Sequence, residues 1–156
     1  MVFATAKGRF SGVVGTIQLD EADPSRSSVA VEIDATTVDS RDEKRDAHLR
    51  SGDFFNVEQH PTLSFRSTRV ETAGEGKLSV IGDLTMRGVS KPVTLEVSYN
   101  GRGTNPWGQE VIGYSGQTEV NRKDWGLEWN APLEAGGVLV ADTVKIALEI
   151  EAARAA

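Results

Sequence analysis

Apolar and polar residues alternate with a period of two along most of the chain, the pattern of strands that bury one face. Val29, Val31, Ile33 and Ala35 share one face against Ala30, Glu32 and Asp34. Leu63 and Phe65 alternate with Ser64 and Arg66, and Leu78, Val80, Gly82 and Leu84 form a set that Ile81 blurs. Val93, Leu95, Val97 and Tyr99 oppose Thr94, Glu96 and Ser98, while Val144, Ile146, Leu148 and Ile150 oppose Lys145, Glu149 and Glu151. A further strand is predicted from Arg9 to Leu19, where Gly12 and Gly15 suggest a bulge or bend. Turn chemistry stands between the runs, at Gly74-Glu75-Gly76, Arg87-Gly88, Asn100-Gly101 and Gly136-Gly137. Strand onsets near 62, 77, 91 and 109 are spaced as in a meander. One-sided alternation with short connections predicts an all-β antiparallel barrel or sandwich rather than a parallel sheet.

One stretch breaks the alternation. Ser40 to Phe55 packs nine ionisable side chains and an aromatic pair into sixteen residues. Ser40 and Glu43 have the spacing of a capping box, Arg45 and Arg50 fall near the other end, and Gly52 can stop a helix. The prediction is a short helical excursion over about 41–57. Its only apolar helical members are Ala47 and Leu49, so it lies across a barrel end, with Phe54 and Phe55 pinning the connection. A second short turn of helix is predicted near Arg122–Trp125.

At 156 residues, with no linker, repeat or low-complexity segment, the chain reads as one domain over 1–156, its last residues 152–156 a loose tail. No apolar run approaches the ~18 residues of a membrane span, so an integral membrane protein is not expected. The first ten residues hold Lys7 and Arg9 but no apolar segment of signal-peptide length, which favours a cytoplasmic location. The absence of cysteine excludes disulfides, thiolate metal sites and cysteine nucleophiles. A net charge of −6, spread along the chain, argues against nucleic acid and anionic membrane surfaces as partners.

Catalytic chemistry finds little support. His48 with Asp42, Asp46 and Arg50 is the best ionisable cluster, but helical spacing splits it between faces, and His60 precedes a proline. No GxSxG occurs, and the glycines at 101, 103 and 108 are scattered through a hairpin rather than cradling a phosphate. No catalytic residue, metal ligand or cofactor is assigned. Trp107, Trp125 and Trp129 lie in or beside loops, where they either plug a barrel end or rim an entrance. The apolar strand faces either fill a small barrel or line a cavity.

The segments SRDEKRDAHLRSGDFF (40–55), GDLTMRGVSKPV (82–93) and NRKDWGLEWN (121–130), in this order and register, resemble the YceI-like family. The resemblance runs from about Gly8 to about Ala152. It implies a lipocalin-like antiparallel β-barrel whose interior holds a long isoprenoid or other amphiphilic lipid, for carriage or sequestration. Residues implied to line the interior are Phe10, Val31, Phe54, Phe55, Phe65, Val80 and Leu84. Leu95, Val97, Ile112, Tyr114, Trp125 and Trp129 complete that set. His48 and Arg122 are headgroup candidates, and Arg122, Asp124 and Asn130 a polar latch on the Trp125 loop.

Family members are bacterial and often periplasmic or secreted. They begin with a strand for which this chain has no counterpart, since Met1 falls where that strand is ending. The expectation is a strand borrowed from another subunit (hence a homodimer), a shifted edge pairing or a leaky cavity. Burying about ten methylenes yields roughly 8 kcal/mol against association costs of about 4–15 kcal/mol. Long, weakly polar chains such as polyprenols, quinones or fatty amides therefore suit the site. The alternatives are a stress-response or interaction module with a packed core, and a barrel enzyme using His48.

Overall fold

The computed structural model describes residues 7–131 and 140–154. Seven strands form one antiparallel sheet in chain order: β1 (Val13–Gln18), β2 (Ser28–Asp34), β3 (Thr62–Thr72), β4 (Lys77–Met86), β5 (Val89–Thr104), β6 (Glu110–Asn121) and β7 (Thr143–Ala153). The meander follows from hairpin chemistry. Gly74 and Gly76 turn β3 into β4, and Arg87-Gly88 turn β4 into β5, all four with positive φ. The sheet curls around its apolar face into a half-barrel. Phe65, Val80, Leu84, Leu95 and Val120 pack together inside it. Gly82 lets the curl tighten: a Cβ there would lie 2.3 Å from the Arg66 carbonyl oxygen and 2.6 Å from the Phe65 ring.

Because seven strands alternate in direction, the two edges β1 and β7 run the same way. Neither edge has a strand partner among the described residues. Zipping them to each other would make a parallel pair in an otherwise antiparallel barrel. The expected barrel architecture is present as an open curl with a seam. The β1 edge carries no charged residue, and Val13 and Val14 are 50% and 68% exposed.

The long β2–β3 connection covers one end of the curl. It holds α1 (Glu43–Arg50), whose cap is Asp42 rather than Ser40: the Asp42 carboxylate accepts from the Lys44 and Arg45 amides at 3.1 Å. Ser40 instead turns its hydroxyl and amide onto Asp46, so the capping-box expectation gives way to a buried contact one turn further on. Phe54, Leu49 and Phe55 pack from this connection onto the core. The helical turn at Arg122–Trp125 forms as expected, capped by Asn121.

Two boundaries differ from the sequence reading. The first strand starts at Val13, because the Ser11 and Gly12 amides are taken by the Thr37 hydroxyl, and Arg9 makes only a single bridge to Asp39. Gly12 and Gly15 are both sites of close approach: a Cβ would meet Asp34 and Thr37 at the first and the Ala30 carbonyl at the second. At the other end, Ala152 and Ala153 are not a tail but pair with Ile112 and Val111. Gly136-Gly137 lie outside the described residues.

Candidate ligand-binding cleft

The two ends of the curl are built differently. At the covered end, Trp125 is 2% exposed and its indole nitrogen donates to the Leu84 carbonyl at 2.8 Å. Arg122, 4% exposed, is spent on backbone: it donates to the carbonyls of Leu127, Trp129, Ala141 and Val140, at 2.5, 2.9, 2.9 and 3.4 Å. Asn130 pins Val140 through both its side-chain oxygen and nitrogen, at 2.9 and 2.8 Å. Arg122 and Asn130 are thus the latch on the Trp125 loop, while Asp124 is exposed.

His48 belongs to the same end. Its ring stands edge-on to Trp129 at 4.4 Å and to Phe54 at 5.0 Å, and its Nε2 lies 2.9 Å from Asp53. Phe10 packs edge-on to Phe55 at 5.5 Å. Aromatic stacking and apolar contact account for this cluster without a ligand.

The other end is open. Between β1–β2 on one side and β6–β7 on the other lies a cleft of about 1040 Å³. Its apolar lining comes from Ile17 and Leu19, Val29 and Val31, Val111 and Ile112, and Ile150. Of the residues the sequence nominated for an interior, Val31 and Ile112 line this cleft. Phe54, Phe65, Val80, Leu84, Leu95, Tyr114 and Trp125 are buried core, with half-buried Val97 and Trp129 packed against them. Neither His48 nor Arg122 reaches the cleft.

A chain of ion pairs crosses the mouth. Glu21, in the β1–β2 connection, meets Arg102 of β5 at 2.5 Å, Arg102 meets Glu110 of β6 at 3.3 Å, and Glu110 meets Arg154 beyond β7 at 2.9 Å. The Glu21 carboxylate, with help from Tyr99, raises the Arg102 pKa further, so this cation is permanent. Behind it, Tyr114 stacks edge-on to Tyr99 at 5.8 Å, and burial, followed by the Tyr99 hydroxyl, pushes its phenol pKa up. Around the cleft stand five acids (Asp20, Glu21, Glu110, Glu149, Glu151) against two arginines (Arg102, Arg154). An anionic headgroup would meet net repulsion there; a neutral one would not.

Sequence reasoning missed the mouth and most of the lining, nominating only Val31 and Ile112 of its apolar residues. The apolar alternation of Val29 and Ile150 was visible, but only the topology reveals that their strands flank a seam. Arg102 and Glu21 are far apart in sequence, and no local pattern pairs them.

Among the described residues, no group of three His, Asp or Glu side chains is placed to hold a metal ion. No helix of the described structure is long and apolar enough to cross a membrane.

A YceI-like domain matches residues 1–152. A UPF0312 protein of Vibrio campbellii (strain ATCC BAA-1116) is 42% identical over 125 residues, covering 80% of this chain and 66% of its own, so the chain spans just under two thirds of that relative. A UPF0312 protein of Ectopseudomonas mendocina (strain ymp) is 37% identical over 147 residues, 94% of this chain and 74% of its own. The crystal structure of the Campylobacter jejuni YceI protein superposes with a TM-score of 0.84 at 25% identity, over 100% of this chain and 89% of that one. Burkholderia cenocepacia BcnA shares the fold, with a TM-score of 0.81 at 23% identity over 93% of this chain and 86% of its own. A domain match along nearly the whole chain, relatives at such identity and the same curled sheet agree: this chain belongs to the YceI-like family.

Proposed function

We propose that the chain binds a long, weakly polar lipid, an isoprenoid such as a polyprenol or quinone or a fatty amide, without covalent chemistry, for carriage or sequestration. The observation that carries this is the cleft: about 1040 Å³, with apolar side chains from β1, β2, β6 and β7 along its walls beside the charged residues named above, and open along the seam. Its size stands at the upper end of the roughly 300–1,000 Å³ of small-molecule sites. The apolar walls supply affinity in proportion to chain length, and about twenty buried carbons exceed the ordering cost of association. The acidic surplus at the mouth selects a neutral or amide headgroup over a phosphate or carboxylate. The covered-end residues, His48 and Arg122 included, act as the packed floor on which the lipid-binding half is built. The reading assigns no catalysis and no cofactor, and the uncharged β1 edge is where a homodimer would form.

The test is native mass spectrometry of the purified chain, followed by organic extraction. A discrete mass shift that yields one class of neutral long-chain lipid supports the reading. A protein that stays free of lipid after incubation with a long polyprenol, a quinone and a fatty amide sinks it.

A further inference from the structure

Trp107 is 82% exposed, the most exposed of the large hydrophobic side chains among the described residues. An indole normally buries most of its surface, and its placement here is not a matter of slack. Asn105 accepts from the amides of Trp107 and Gln109 through one side-chain oxygen, at 3.0 and 2.9 Å, and donates to the Gln109 side chain at 2.9 Å. The Asn105 amide donates to the Gln109 carbonyl at 2.9 Å, and Gly108 takes the positive φ the turn requires. Pro106 fixes its own φ as well. These bonds define the backbone of the tip, and from it the indole stands out in water.

The position is equally specific. The β4–β5 ladder ends at Lys77 and Ser98, while β5 continues to Thr104, roughly 20 Å further along the strand at about 3.4 Å per residue. The β5–β6 hairpin therefore stands out past the β3–β4 turn at the open end of the curl. Its base residues Arg102, Glu110, Val111 and Ile112 line the cleft. From Gly103 to Gln109 no residue carries a charge. Such a segment can enter a headgroup layer without desolvating an ion, and tryptophan is the side chain most at home at that depth.

We infer that the Asn105–Gln109 turn is a membrane-surface contact, Trp107 its anchor, which brings the cleft mouth to a neutral or zwitterionic bilayer. A protein partner is the poorer match. One indole offers at most about 250 Å², against the roughly 1,000 Å² a specific protein interface buries. The net charge of −6 makes the contact weaker on anionic lipid. The inference depends on the lipid reading of the cleft for its purpose, but membrane contact is measured independently of loading.

The full chain and its Trp107→Ser and Trp107→Phe variants are mixed with phosphatidylcholine vesicles, with and without brominated acyl chains, and with vesicles containing phosphatidylglycerol. Quenching by bromolipid should occur in the wild type and vanish in Trp107→Ser, with vesicle affinity falling at least about tenfold. Trp107→Phe should retain part of the affinity, and phosphatidylglycerol should lower it. Polyprenol loaded from detergent solution should reach the same level in wild type and Trp107→Ser, whereas transfer from vesicles should slow in the variant alone. Wild-type tryptophans that bromolipid leaves unquenched overturn the inference, whatever the loading result. So does a Trp107-dependent dimer that forms without vesicles and does not bind them. Vesicle binding that depends on Trp107 in a chain that never loads lipid would uphold the contact and refute the lipid-binding function.

Discussion

Arg102 and Glu21 stand 81 positions apart in the chain and meet at 2.5 Å across the mouth of the cleft. The pair ties the β1–β2 connection to the β5–β6 hairpin at the end of the curl where the sheet has a seam. Both side chains are exposed, so the pair adds little to global stability. Its consequence is local: it restrains the two walls of the opening. Arg102→Met should leave the thermal midpoint nearly unchanged while speeding release of a bound polyprenol several-fold. High salt should speed wild-type release and leave the variant unmoved, since screening acts on a pair the variant has lost. Stopped-flow transfer to acceptor vesicles at two ionic strengths distinguishes these cases.

Bulk placed in the seam should compete with ligand. Val31 and Ile112 face the cleft from opposite walls and are only partly buried. Val31→Trp and Ile112→Trp each add an indole to open space, where overpacking cost is small. Lipid loading measured by native mass spectrometry should fall in each and disappear in the double variant, with the circular dichroism spectrum retained. Leu95→Trp, at a buried core position, should destabilise the fold by about 1–3 kcal/mol instead, a loss seen in urea unfolding whether or not lipid is present.

Much of the sheet was legible because its signals are local. Strands begin at 62 and 77 as the alternation requires, and within two residues of expectation at 89 and 110. The helical stretch, too, stood out by composition. Ser40 shows where local reasoning fails: spacing offered it as a cap, but Asp42 is two residues closer to the helix and a better acceptor, which frees Ser40 for Asp46. The cleft was less visible for a topological reason. Inward-facing apolar residues look alike in every strand, and whether they fill a core or line a gap depends on which strands become edges. Thus Leu84 and Ile150 share a pattern but not a fate. Arg102, placed beyond the bulge at Asn100, changes its facing by one extra residue that no alternation count contains.

The covered end should behave as a single structural unit. Arg122 reaches four backbone carbonyls with a planar fork that a lysine cannot copy. Arg122→Lys should therefore destabilise almost as much as Arg122→Met, at about 1–3 kcal/mol for each buried carbonyl left without a donor. Trp125→Phe removes the bond to the Leu84 carbonyl and should cost a similar amount. Chemical denaturation would show the loss, and the two effects should be less than additive because the latch holds the Trp125 loop. Full additivity would mean that the latch and the indole act separately.

The acid limb of stability should trace in part to Asp46. Its carboxylate is almost out of solvent and accepts from both the hydroxyl and the amide of Ser40. The Ser40 hydroxyl first, and more weakly its amide and the charges of Arg50 and Arg45, hold the carboxyl below the ordinary aspartate value against the opposing effect of burial. A group whose folded pKa is depressed stabilises the fold above its unfolded value, and that contribution is lost as pH falls through the folded value. The window therefore lies below about pH 4, and at pH 7 the contribution is complete. Asp34 is shifted the same way by Thr36, so Asp46 does not account for the whole limb. The expected result is that Asp46→Asn lowers the urea midpoint at pH 7 and that its gap from wild type narrows as pH falls below about 4, closing once the folded carboxyl is itself protonated. A gap of constant size across that range would assign the loss to packing or to a misplaced amide and remove the carboxylate from the explanation. Ser40→Ala separates these further: it keeps the charge, removes the strongest stabilising contact, and should move the acid midpoint toward higher pH.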